Sequence, residues 1–212
     1  MVYHIQDIMR DVRVAIDHNA TNNQLLFDKD TDTLTVDEII RSKIIDAARI
    51  VEMSAPTRLL ESSYNLEDTV FWEGQGRGYV VLPDDFMRLV AFRMSDWERT
   101  VFTTIEAGSV EYAKQSSRYK GIRGNPQKPV CAVINRPIGK VLEFYACKNE
   151  DAEVTQASYR PYPQIDPNDG IDISEQCYRA TIYLTASLVL HTFGEKDLAI
   201  TLSELAKSFY QI

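Results

Sequence analysis

Asp28, Asp30 and Asp32 stand at the spacing of the first three ligands of a calcium-binding loop. Such a loop needs glycine at its sixth position and a bidentate glutamate at its twelfth, where this chain has Thr33 and Ile39. A solvated acidic loop is therefore expected. The turn at Asp166, Asn168, Asp169 and Gly170 misplaces its glycine in the same way. Gly74, Gly76 and Gly78 invite a phosphate-loop reading. That loop requires a lysine and a hydroxyl side chain opening a helix, whereas Tyr79 here opens a strand. A hairpin turn is expected instead. His4, His18 and His191 lie far apart, with no partner at ligand or triad spacing. His191 falls in an apolar helical stretch and reads as a core or interface histidine. Neither GxSxG nor HExxH occurs. Cys131, Cys147 and Cys177 are odd in number and lack CxxC spacing, which argues against a disulfide framework or zinc site. They read as small buried apolar side chains in a reducing compartment. The expectation is a protein that is not an enzyme and needs no metal or cofactor.

The residues left for function are those that build contacts. Trp72, Trp97, Tyr159 and Tyr162, the tyrosines flanking Arg160 and Pro161, combine the aromatic and arginine side chains that most often anchor interfaces. They could equally complete the chain's own core. Charge is unevenly spread: the net value is −8, yet from Tyr112 to Leu142 there is no acid and seven bases, leaving −15 on the rest. Arg118, Lys120, Arg123 and Lys128 are the candidate contacts in this segment. Their partner is either nucleic acid or the acidic face of another copy. A sequence pI near 5.0 counts against a dedicated nucleic-acid module.

The elements that position these residues follow from periodicity. Ile5, Ile8, Met9, Val12 and Ile16 predict an amphipathic helix over about 3–18. A polar loop follows. Thr35 and Glu38 form a capping box for a second helix with Ile40, Ile44, Ala47, Ala48 and Val51 on one stripe, and Pro56 lies beyond its end. From about 69 to 160 the pattern is β. Leu82, Pro83, Asp84 and Asp85 turn the chain into a strand on which Val90, Phe92 and Met94 share a face. Val130 to Ile134 and Lys140 to Cys147 read as a hairpin about Pro137 and Gly139, with Leu142, Phe144 and Ala146 on one face. Between strand and hairpin a short helical segment runs into a basic loop. Residues 158–170 read as a proline- and tyrosine-rich connector. Two helices close the chain, one bearing Ile182, Ala186, Val189 and Phe193, the other Leu198, Leu202, Leu205 and Phe209, joined as an antiparallel hairpin at Gly194. The expected class is α+β in a single domain over 1–212. It comprises N-terminal helices (1–65), a central, mainly antiparallel β region (66–165, basic loop at about 112–140) and a C-terminal helical hairpin (171–212). No apolar run reaches the roughly 20 residues of a membrane span. The polar, acid-bearing first residues do not read as a signal peptide.

The order of these elements resembles the head-to-tail connector proteins of tailed bacteriophages. The likeness is to tail tubular protein A and related neck-ring adaptors, and to the ring proteins of crAss-like phages. It is carried by the N-terminal helices, the Leu82 to Phe86 turn into a strand ending near Trp97, the strand around Gly139 to Cys147, and the run from Ile173 to Gln211. The acid-free basic segment has no counterpart in that pattern. The resemblance implies a virion protein of the neck or tail, assembled in the cytoplasm of the bacterial host. Such proteins form a ring, typically of twelve copies, beneath the portal protein. The ring continues the channel for genomic DNA and docks other ring or tail proteins. A second neck-ring or tail-hub role in the same particle, or a nucleic-acid-binding module, are the alternatives.

Overall fold

The computed structural model describes residues 1–19, 34–61, 64–66, 69–119, 121–145 and 147–211. The chain runs β1 (Val2–His4), α1 (Ile5–Asn19), α2 (Val36–Ser54), β2 (Tyr64–Asn65), β3 (Val70–Gly74), β4 (Arg77–Val81) and β5 (Phe86–Met94). It continues with α3 (Val110–Lys114), β6 (Cys131–Arg136), β7 (Gly139–Phe144), β8 (Val154–Pro161), β9 (Gly170–Asp172), α4 (Tyr178–Thr192) and α5 (Lys196–Ser208). The class is α+β, as the periodicities predict. The expected single domain consists of two compact units: a helical one, Met1–Glu61 with Pro163–Ile212, and a β one, Ser62–Tyr162. The aspartates at 28, 30 and 32, His18, Lys120 and Ala146 lie outside the residues or side chains described.

In the helical unit α4 is the hub. It packs against α1, α2 and α5, and residues around its whole circumference are buried, among them Ala180, Ile182, Leu184, Ala186, Val189 and Leu190. A helix apolar on every side belongs at the centre of its neighbours. The stripe on α2 is buried as expected, with Ile40, Ile44, Ala47, Ala48 and Val51 all at 0% exposure. Its capping box forms: the Thr35 amide donates to Glu38 Oε2 at 2.8 Å and the Glu38 amide to Thr35 Oγ1 at 3.3 Å. Ala55 then turns extended before Pro56, because the proline ring clashes with a helical predecessor. Gly194 takes the left-handed conformation (φ 84°) between α4 and α5. Across that hairpin the Ser187 hydroxyl donates to the Ala199 carbonyl at 2.6 Å.

Three helical expectations change. The first helix begins at Ile5 because Val2–His4 pairs as a strand with Gly170–Asp172, so the end of the supposed connector is structured. Leu205 is 39% exposed, and Ala199, Leu202 and Ala206 form the buried line of α5 instead. Of the two places expected for His191, core or interface, its exposure at the end of α4 removes the first. A helix enclosed along its length still frees its last turn where the chain reverses.

The β unit contains a three-stranded sheet (β2-β8-β5) and a four-stranded one (β3-β4-β7-β6), antiparallel throughout. One cluster fills its interior, including Leu89, Phe92, Met94, Trp97, Leu142 and Phe144. Rings there meet edge to face: Phe92–Trp97 at 5.7 Å and 72°, Trp72–Phe144 at 5.4 Å and 86°. Gly76 carries the β3–β4 turn at φ 72°, and a Cβ there would stand 2.0 Å from the Cys147 carbonyl oxygen. The glycine series is thus a hairpin turn, as expected.

The alternation expected on β5 fails at Val90. The pairing with β8 shifts between Leu89 and Ala91, and Leu89, Ala91, Phe92 and Met94 are buried while Val90 is half-exposed. A bulge adds one residue to one strand and so reverses which face follows. Residues 158–161, expected in a connector, are the inner end of β8, where Arg160 is 1% exposed. On β7 both faces are covered, Val141 and Glu143 as well as Leu142 and Phe144.

Candidate assembly surface

Between β5 and β6 the chain runs from 95 to 130 with one short helix. Connections of this length inside a compact unit are uncommon and are usually either functional or linkers. This one is pinned to the sheets at two places and to itself at a third. Phe92 and Val101 exchange two backbone bonds of 2.8 Å, the Glu98 amide donates to the Pro126 carbonyl at 2.9 Å, and the Ile105 amide to the Cys131 carbonyl at 2.9 Å. Inside the loop, Ser109 caps α3 by accepting the Tyr112 amide at 3.1 Å. Gln115, 5% exposed, closes the far side. Its nitrogen donates to the Glu111 carbonyl at 2.9 Å and its oxygen accepts the buried Gly124 amide at 2.8 Å. Asn125 organises the last turn, its Oδ1 accepting the Gln127 and Lys128 amides at 3.0 Å each.

Although these bonds close the loop on itself, it presents apolar side chains to solvent. Phe102 is 55% exposed, Val110 67%, Tyr119 64% and Ile122 53%. Arg118 and Lys128 are exposed beside them and Arg123 is half-buried. None of these three bases forms an ion pair among the described residues. Arginine, aromatic and aliphatic side chains on a preorganised backbone have the composition of an interface centre.

The other bases of the acid-free segment serve different ends. Lys114 lies 4.0 Å from Glu111, one turn back. Lys140 packs over the Phe86 and Tyr162 rings at 5.8 and 6.0 Å. Arg136 is structural. Its Nη1 donates to Glu73 at 2.5 Å, its Nε to Glu143 Oε1 at 3.1 Å and its Nη2 to the same oxygen. Its guanidinium lies 4.3 Å from the centre of the Tyr79 ring, which stacks on Phe71. Glu143, 6% exposed, also accepts the Tyr145 hydroxyl and, at 3.2 Å, that of Tyr112 on α3. This pentad of Arg136, Glu73, Glu143, Tyr145 and Tyr112 fastens the loop's helix to the four-stranded sheet. The Arg136 hydrogen bond holds the Glu73 carboxyl below its ordinary value. Burial, followed by the neighbouring Glu143, pushes the Tyr145 hydroxyl well up.

Of the expected contact residues, Arg118, Arg123 and Lys128 thus share one loop, and Lys120 lies outside the described residues. Trp97 and Tyr159 are corrected to core: they are 2% and 6% exposed, and Tyr159 donates to Asp85 at 3.0 Å and stacks on Phe86. Tyr159 of β8 is paired with Leu89 and Trp97 follows the end of β5, and both join the buried cluster of the β unit. Trp72 and Tyr162 are half-buried. The exposed Phe102, Val110, Tyr119 and Ile122 were missed. Apolar residues without periodicity among glycine, serine and proline were the signal that could have found them. Gln115 left no signal, since its role depends on a backbone amide nine positions away.

Charge divides with the two units. The helical unit holds 10 bases and 18 acids, net −8, while the β unit holds 13 of each. The chain's whole excess of negative charge therefore belongs to the helical unit. Among the described residues no cluster of three His, Cys, Asp or Glu side chains could hold a metal ion, and no helix is long and apolar enough to cross a membrane. No protein-family model matches the chain, and no curated protein matches it.

Proposed function

We propose that this chain is a structural virion protein of a tailed bacteriophage. In this reading copies associate into a ring, of about twelve by the resemblance of the sequence to neck-ring adaptors, between the portal protein and the tail. The ring extends the DNA channel and docks tail components, and the chain itself performs no catalysis. The observation that carries the reading is the loop at 95–130: it is cross-braced by internal hydrogen bonds yet exposes Phe102, Val110, Tyr119 and Ile122 along with Arg118 and Lys128. A closed ring needs two different, complementary faces on each subunit. A basic, apolar loop on a neutral unit and a separate unit of net charge −8 supply two such faces. Acidic surface turned toward the channel would repel phosphate and let the genome slide.

The test is electron microscopy and sedimentation of the purified protein, alone and with a portal ring. Rings in either sample are expected, and Arg118→Glu with Arg123→Glu should abolish them. Persistent monomers in both samples refute the proposal. The exposed Arg118 and Lys128, which form no ion pair among the described residues, favour a second reading, a nucleic-acid contact. Intact rings of the double variant that lose salt-sensitive DNA binding would establish that reading instead.

A further inference from the structure

We draw no further inference here: the strongest candidate, the groove of about 420 Å³ beside the outer edge of β8, where β2 ends and Val154 to Gln156 run on without a neighbouring strand among the described residues, carries nothing because nothing in the structure shows what covers it.

Discussion

Gln115 reaches across the loop to accept the Gly124 amide at 2.8 Å, and neither group has access to water. One side chain therefore closes the segment that bears Arg118, Tyr119 and Ile122. A buried amide that loses its acceptor costs about 1–3 kcal/mol. Gln115→Ala should destabilise the β unit by that amount and speed hydrogen exchange at Gly124. The helical unit should unfold as before. Unchanged exchange at Gly124 would show that the loop is closed by other means.

The two carboxylates on Arg136 should differ sharply in weight. Glu143 is buried and accepts four donors from Arg136, Tyr145 and Tyr112, so Glu143→Ala leaves the largely enclosed guanidinium with Glu73 alone and takes the acceptor from two hydroxyls. A loss of about 3 kcal/mol in urea unfolding is expected. The half-exposed Glu73 should cost under about 1 kcal/mol when replaced by alanine. Equal losses would mean that enclosure does not govern this network.

Acid should unfold the protein through carboxylates in both units. The Thr35 amide holds Glu38 below its ordinary value, the Arg136 hydrogen bond does the same for Glu73, and Arg41 for Asp169. A carboxylate depressed in the folded state contributes stability that is fully present above its unfolded value, 4.5 for Glu and 3.8 for Asp. That contribution is lost as pH falls through the folded value. Urea midpoints should therefore be insensitive to these groups down to about pH 5 and fall below it. Glu73→Gln should lie below the parent at neutral pH and meet it in acid. Parallel curves would show that Glu73 is not among the groups responsible.

The thiols should be inert while the protein is folded. Burial pushes Cys131 well above the ordinary thiol range, and burial with the charge of Asp96 takes Cys147 up to about 12. Cys177 is fully enclosed. All three are free. Ellman's reagent at pH 8 should find no rapidly reacting thiol in the native protein and all three after denaturation. Fast native modification at Cys147 would mean that its strand end opens readily.

Much of the architecture is written in short-range pattern. The capping box of Thr35 and Glu38, the α2 stripe, the hairpin from Cys131 to Phe144 and the Gly194 reversal depend on residues a few positions apart, whose geometry is dictated by helix and strand period. The acid-free run from Tyr112 to Leu142 was equally plain. What each of its bases does was not. Arg118 faces water while Arg136 is spent on Glu73 and Glu143, because the second meets carboxylates brought by other strands.

The amino-acid order by itself determined the α+β class, the helix limits set by caps and prolines, and the segregation of charge, since all three are local or additive. Tertiary structure alone decided which aromatics are core and which apolar residues stay in solvent. Register is the reason: a bulge at Val90 reverses a face, pairing of Val2–His4 with Gly170–Asp172 joins distant segments, and Gln115 finds an amide no local rule assigns to it. Burial depends on where strands land against one another, and that is settled only when the two sheets and the helices around α4 pack.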